Sequence, residues 1–218
     1  MSTTLEMLKK VFTQQLKNIN TAIPGHVVAF SPETQLAQLQ IGIQFADVNG
    51  GTHTHAPIIE CPVGIYGGSV GMIEIEINPG DEGLIIFSQR CIDGWVTNGG
   101  VANNPIARFH DAQDAFFIPG FRSQPNSLGN YENNGIRMRN NSGSNSIWLK
   151  NDGNIEINAQ NVTFNAFSNV EINAFHLQTN ADSSAFDTNF LRHNSVNIGA
   201  THLHSGVESG TDLSGVPQ

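Results

Sequence analysis

Between residues 147 and 177 the triplets IEI, VTF, VEI and FHL recur about every seven or eight residues, separated by Asn, Ala or Ser turns. In a strand, residues i and i+2 share a face. Ile155 with Ile157, Val162 with Phe164, and Val170 with Ile172 therefore point one way, while Glu156, Thr163 and Glu171 point the other. A single-chain solenoid needs roughly 18 or more residues to coil once around its own core. Seven or eight cannot enclose anything. Two apolar residues per repeat find burial only against copies of the same strand, and three chains wound about one axis would also close the free sheet edges. The expectation is an intertwined homotrimer, a triangular β-prism or β-helix stem over residues 146–200.

What precedes the stem follows other rules. Leu5, Leu8, Phe12, Leu16 and Ile19 fall at helical spacing, so residues 1–20 predict a short amphipathic α-helix. Its expected role is packing on the domain that follows, or docking on another protein. Residues 21–120 change to short apolar runs broken by turn chemistry: HVVAF, QLAQLQIGIQF, PIIECPV, GSVGMIEIEI, the turn NPGDEG, and LIIFSQR. That pattern predicts a barrel or sandwich of five or six strands, and the OB-type barrel is the common one at this size. Residues 121–145 lose the apolar periodicity and fill with Asn, Gly and Ser, as a linker or shoulder would. The fold class expected is all-β apart from the first helix.

Composition excludes several functions. Only 13% of the 218 residues are charged and the net charge is −9, which repels phosphate backbones and anionic lipid. With few Lys or Arg and no basic and aromatic interleaving, a nucleic-acid partner is not expected. No apolar run reaches the roughly 20 residues of a membrane span, and Glu6, Lys9 and Lys10 stand where a secretory signal would be apolar. Cys61 and Cys91 lie in segments that read as strands and are expected to be buried free thiols.

The chain ends in THLHSGV at residues 201–207. In an unbroken strand Val196, Ile198, Ala200, His202 and His204 share one face, so the histidine pair continues an apolar, inward row. Buried imidazoles need partners. Two are half a site in one chain, but three chains around an axis would supply six nitrogens in two layers. Six imidazoles favour an octahedral ion, Fe(II) or the chemically similar Ni(II) and Co(II), over tetrahedral zinc. With no open coordination position such an ion would staple and not catalyse.

Rival chemistries fit less well. His202, His204 and Glu208 resemble half of a cupin metal site, yet the fourteen or so residues left after the pair offer no further strands. Glu156 and Glu171, the carboxylates a sugar-cleaving stem would need, face outward on narrow strands. No P-loop, nucleophile elbow or dinucleotide signature occurs, so neither an enzyme nor a small-molecule substrate is expected. His53 and His55 share the i, i+2 spacing but sit between Gly50–Gly51 and Pro57, as solvated loop residues would. His26, His110, His176 and His193 carry no assigned role.

Taken with PVGIYGGSVG, INPGDEGLIIFSQRCIDGW and RFHDAQDAFFIPG, the terminal T-H-x-H-x-G-V motif makes the chain resemble the short central baseplate spike of contractile-tailed phages and phage-like particles. That resemblance implies a homotrimer at the baseplate tip of the virion, synthesised in the bacterial cytoplasm. Its N-terminal barrel would bind a baseplate hub protein, and its point would pierce the outer membrane. It also implies one iron (Fe2+) per trimer, held by His202 and His204 of three chains in the apex, residues 201–218. Ser205 stands where relatives frequently have Gly, and the His53/His55 pair has no counterpart. A trimeric tailspike or adhesin binding surface glycans is the alternative. Elemental analysis should find about one iron per three chains and none in the His202→Ala/His204→Ala variant. Acidification below about pH 6, where imidazole protonates, should release the metal while the stem stays folded.

Overall fold

The computed structural model describes residues 3–17, 19–47, 49–104, 106–188 and 191–198. It is mostly β. In chain order the elements are α1 (Thr3–Lys17), β1 (Ala22–Ser31), β2 (Leu36–Ile41), β3 (Phe45–Ala46), β4 (Thr52–His53), β5 (Ile58–Pro62), β6 (Tyr66–Gly67), β7 (Met72–Ile73), β8 (Glu82–Phe87), α2 (Asp93–Asn98), β9 (Ala115–Pro119), β10 (Ile136–Arg139), β11 (Ser146–Leu149), β12 (Ile155–Asn158), β13 (Arg192–His193) and β14 (Val196–Asn197). The chain divides into two units, residues 1–160 and 161–218.

The core of the first unit is a five-stranded antiparallel sheet in the order β5-β2-β1-β8-β9. Strict alternation builds it: every second residue of β2 and of β8 is buried, which puts Leu39, Ile41, Ile85 and Phe87 on one face with Val27, Cys61 and Phe117. Two features curl the sheet. The pairing of β1 with β2 shifts register between Val27 and Ala29, and that of β2 with β5 shifts between Ala37 and Leu39; such bulges add bend and twist. At the crossing of β1 and β8, Gly25 and Gly83 are direct partners. A methyl on Gly83 would lie 2.4 Å from the Ile118 carbonyl oxygen, so the close approach of β9 depends on its absence. The curl brings the outer strands together at one parallel bridge, Val63 with Phe117, where the Gly64 amide donates to the Phe117 carbonyl at 2.7 Å.

The NPGDEG turn forms as its chemistry predicts: the Asn78 amide donates to the Asp81 carboxylate at 2.8 Å and Gly80 takes a positive φ of 94°. Cys61 and Cys91 are both free and buried. Burial pushes the Cys61 thiol up to about 12, and its Sγ donates to the Ala115 carbonyl at 3.2 Å. Cys91 departs from expectation. It lies in no strand but in the loop leading into α2, a short helix that the apolar pattern did not announce.

Three other segments differ from their sequence pattern. The alternation of Ile73, Ile75 and Ile77 yields only the two-residue β7, because no neighbouring strand pairs with residues 74–78. Inside 121–145 the structure places a strand, β10, paired in register with β11. Helix α1 leaves Leu5, Leu8, Phe12 and Leu16 at least half exposed and does not pack on the sheet that follows. No helix of the described residues is long and apolar enough to cross a membrane.

Phe117 is fully buried at the centre of the curl. Phe117→Ala should cost about 3–5 kcal/mol in urea unfolding monitored by circular dichroism.

Candidate functional site

The three-stranded sheet β10-β11-β12 has two unlike faces. Register puts Ile136, Leu149 and Ile155 in one cross-strand row and Met138, Ile147 and Ile157 in the next. Directly opposed residues share a face, so all six apolar side chains lie on one side. They are exposed by between 44% and 70% in the single chain. The other face carries Arg137, Trp148 and Glu156 in one row and Arg139, Ser146 and Asn158 in the next.

That second face is saturated. The Arg137 guanidinium lies 4.9 Å from the Trp148 ring centre, the Lys150 ammonium 4.6 Å from it, and Lys150 forms an ion pair with Glu156. The Lys150 ammonium holds the Glu156 carboxyl below its ordinary range. The Trp148 indole donates to the Asn134 carbonyl at 2.8 Å, and Arg139 donates to the carbonyls of Gly129, Asn130, Asn140 and Asn141. A polar network of this kind fixes which face points to water. The apolar face is left for something else to cover, and completing the burial of such side chains is worth on the order of 1 kcal/mol each.

The second unit continues the theme. Of the four triplets, IEI alone falls in a strand, β12; residues 159–188 contain no helix or strand, and Val162, Phe164, Val170, Ile172, Phe175 and Leu177 are all exposed. Further on, β13 and β14 pair as a hairpin through Asn194 and Ser195, both at positive φ. The strand that carries Val196 and Ile198 therefore starts after that turn instead of running through from His193. His202 and His204 lie outside the described residues.

The other histidine pair is more ordered than its glycine-rich surroundings predicted. His53, on β4, hydrogen-bonds Asp47 at 2.9 Å, and the Phe45 ring sits 5.4 Å from His53 and 4.9 Å from His55. The His53 hydrogen bond, with the Gly51 and Asn49 amides behind it, holds the Asp47 carboxyl below its usual value. Both rings are taken up in closing this hairpin. His110 is likewise structural, exchanging hydrogen bonds with Asn20: its Nδ1 meets the Asn20 carbonyl at 3.0 Å while Asn20 Nδ2 donates to the His110 carbonyl at 2.8 Å.

One cluster escaped sequence reasoning altogether. Cys91, Asp93 and Asp114 bring their ligating atoms within 4.8 Å of one another, a spacing that would suit a metal ion. Arg108 supplies the cation instead. Its guanidinium donates to both oxygens of Asp114 at 2.9 and 2.8 Å, to Asp93 at 2.7 Å and to the Cys91 sulfur at 3.1 Å, while the Ile92 amide donates to Asp114 at 3.0 Å. Arg108 thereby holds the fully buried Asp114 carboxyl below its ordinary value, and the guanidinium itself is made still harder to deprotonate. The cluster ties the segment around α2 to the start of β9. Its one sequence signal was RFHDAQDAFF, where a rare basic residue precedes an aspartate set directly against an apolar strand.

Comparison with known families bears on the curled sheet. Residues 23–120 match the family described as the phage protein Gp138 N-terminal domain. The match spans β1 to β9 and supports a structural protein of a phage, and so a component of the virion. No curated protein matches the chain.

Because the folded value of Asp114 is depressed, its contribution to stability is complete above the unfolded value near 3.8 and is lost as pH falls through the folded one. Asp114→Asn should thus lower the urea midpoint clearly at pH 7, and the gap to the parent protein should close in titrations carried below about pH 3.

Proposed function

We propose that the chain is one third of a non-enzymatic trimeric spike, carried at the baseplate tip of a contractile phage tail and driven through the bacterial outer membrane. The observation that carries this reading is the bare apolar face of β10-β11-β12 opposite a saturated polar face. A subunit with six apolar side chains on one side of a sheet, followed by a long segment of exposed apolar triplets, needs copies of itself to fold around. The phage domain match supports placing that assembly in a virion.

In this reading the curled sheet of residues 22–119 is an OB-type barrel that meets the hub protein, and the stem begins at β10. Three copies turn the face of Ile136, Met138, Ile147, Leu149, Ile155 and Ile157 inward around a common axis. Side chains such as Arg139 and Glu156 then form the water-facing outside. Load along the axis acts on strand hydrogen bonds in three chains together, so opening is governed by a slow unfolding rate. His202 and His204 of each chain hold the iron, which supplies a coordination staple for three chain ends. The glycan-binding alternative draws less support, since Trp148 is covered by Arg137 and Lys150 and so has no free ring face for a sugar.

Light scattering should give a mass three times that of the 23.6 kDa chain. Ile147→Lys with Ile157→Lys should abolish the trimer while leaving the core amides of β1, β2 and β8 protected from hydrogen exchange. A parent protein that is folded and monomeric at micromolar concentration would refute the reading.

A further inference from the structure

Two unpartnered features of the chain are complementary. Helix α1 presents a stripe of Leu5, Leu8, Phe12 and Leu16 to solvent, bordered by Lys9, with Lys10 further round the polar face. A 15-residue helix is marginal in water without tertiary contacts, so this stripe requires a partner. A groove of about 540 Å³ is lined by Phe30, Ile65, Ile75 and Ile77 and rimmed by Glu74 and Glu76. No ion pair among the described residues involves Lys9, Lys10, Glu74 or Glu76.

We propose that α1 of one copy seats its apolar stripe in the Glu-rimmed groove of a second copy. The inference rests on the reading of the chain as a self-assembling subunit. Charge supports the match: the first seventeen residues hold three of the ten basic residues and one acidic residue, whereas the chain as a whole carries −9. Reach argues against the same copy. The groove lies at the far end of β1, by Phe30 and Pro32, and α1 joins β1 at Ala22, about 26 Å away along the strand. Residues 18–21 span at most about 14 Å. A helix folded back beside its own β1 would bring only its first turn to the groove and leave Phe12 and Leu16 in water. A neighbouring copy has no such tether.

The test is zero-length carbodiimide coupling in full-length protein refolded from equal amounts of 14N and 15N chains, with peptide mass spectrometry and light scattering on the same sample. The expected result is mixed-isotope linkage of Lys9 or Lys10 to Glu74 or Glu76. Hydrogen exchange of residues 3–17 should run at least tenfold faster in Lys9→Glu/Lys10→Glu, with protection restored when Glu74→Lys/Glu76→Lys is added. Linkage within single chains only, or no linkage with unprotected α1 amides, overturns the inference. A three-chain species lacking mixed linkages overturns it while leaving the trimeric reading intact; mixed linkages in a two-chain species support the contact and overturn the threefold reading.

Discussion

Apolar side chains on one face of a narrow sheet must be covered, and a strand only four residues long cannot cover them by folding back on itself. That constraint shapes everything after residue 135. Its force comes from the contrast between the two faces of β10-β11-β12. Arg137, Trp148, Lys150 and Glu156 satisfy one another on one side, so the sheet cannot relieve its exposed isoleucines by turning over. Because every side chain would change faces with a one-residue slip, the same arrangement also fixes register.

The first unit solves the covering problem in the opposite manner. Bulges in β1 and β2 and the glycine pair at the β1 and β8 crossing curl five strands until the outermost touch, so Leu39, Ile85 and Phe117 are enclosed by their own chain. A self-sufficient head therefore precedes a stem-forming region that is not self-sufficient. The phage domain match falls on the head, and the reading of the stem rests on physical chemistry.

How much of this was legible in the sequence follows from where each element finds its partners. Strands β1, β2, β5, β8 and β9 alternate because one face is buried within the chain, and their pattern was readable. The IEIEI run at residues 73–77 alternates just as cleanly, yet it pairs with nothing beyond β7 in the single chain. Strand β10 was hidden because IRMR alternates apolar with basic residues inside a stretch of Asn, Gly and Ser, and its face appears only through pairing with β11. The Arg108 cluster joins residues up to 23 positions apart through side chains alone, so neither period nor propensity could disclose it. The candidate metal ligands, by contrast, were visible as a spacing and a parity, and they lie in residues that the structure does not describe.

The enclosed thiol at Cys61 bears on endurance outside a cell. Oxidation and disulfide exchange proceed through the thiolate, and a thiol held near 12 presents that form in on the order of one molecule in 10⁵ at neutral pH. Sealed against the Ala115 carbonyl, it is also out of reach of a second sulfur. A particle component that waits in aerated water before it is used would accordingly age without cross-linking to its neighbours through this residue.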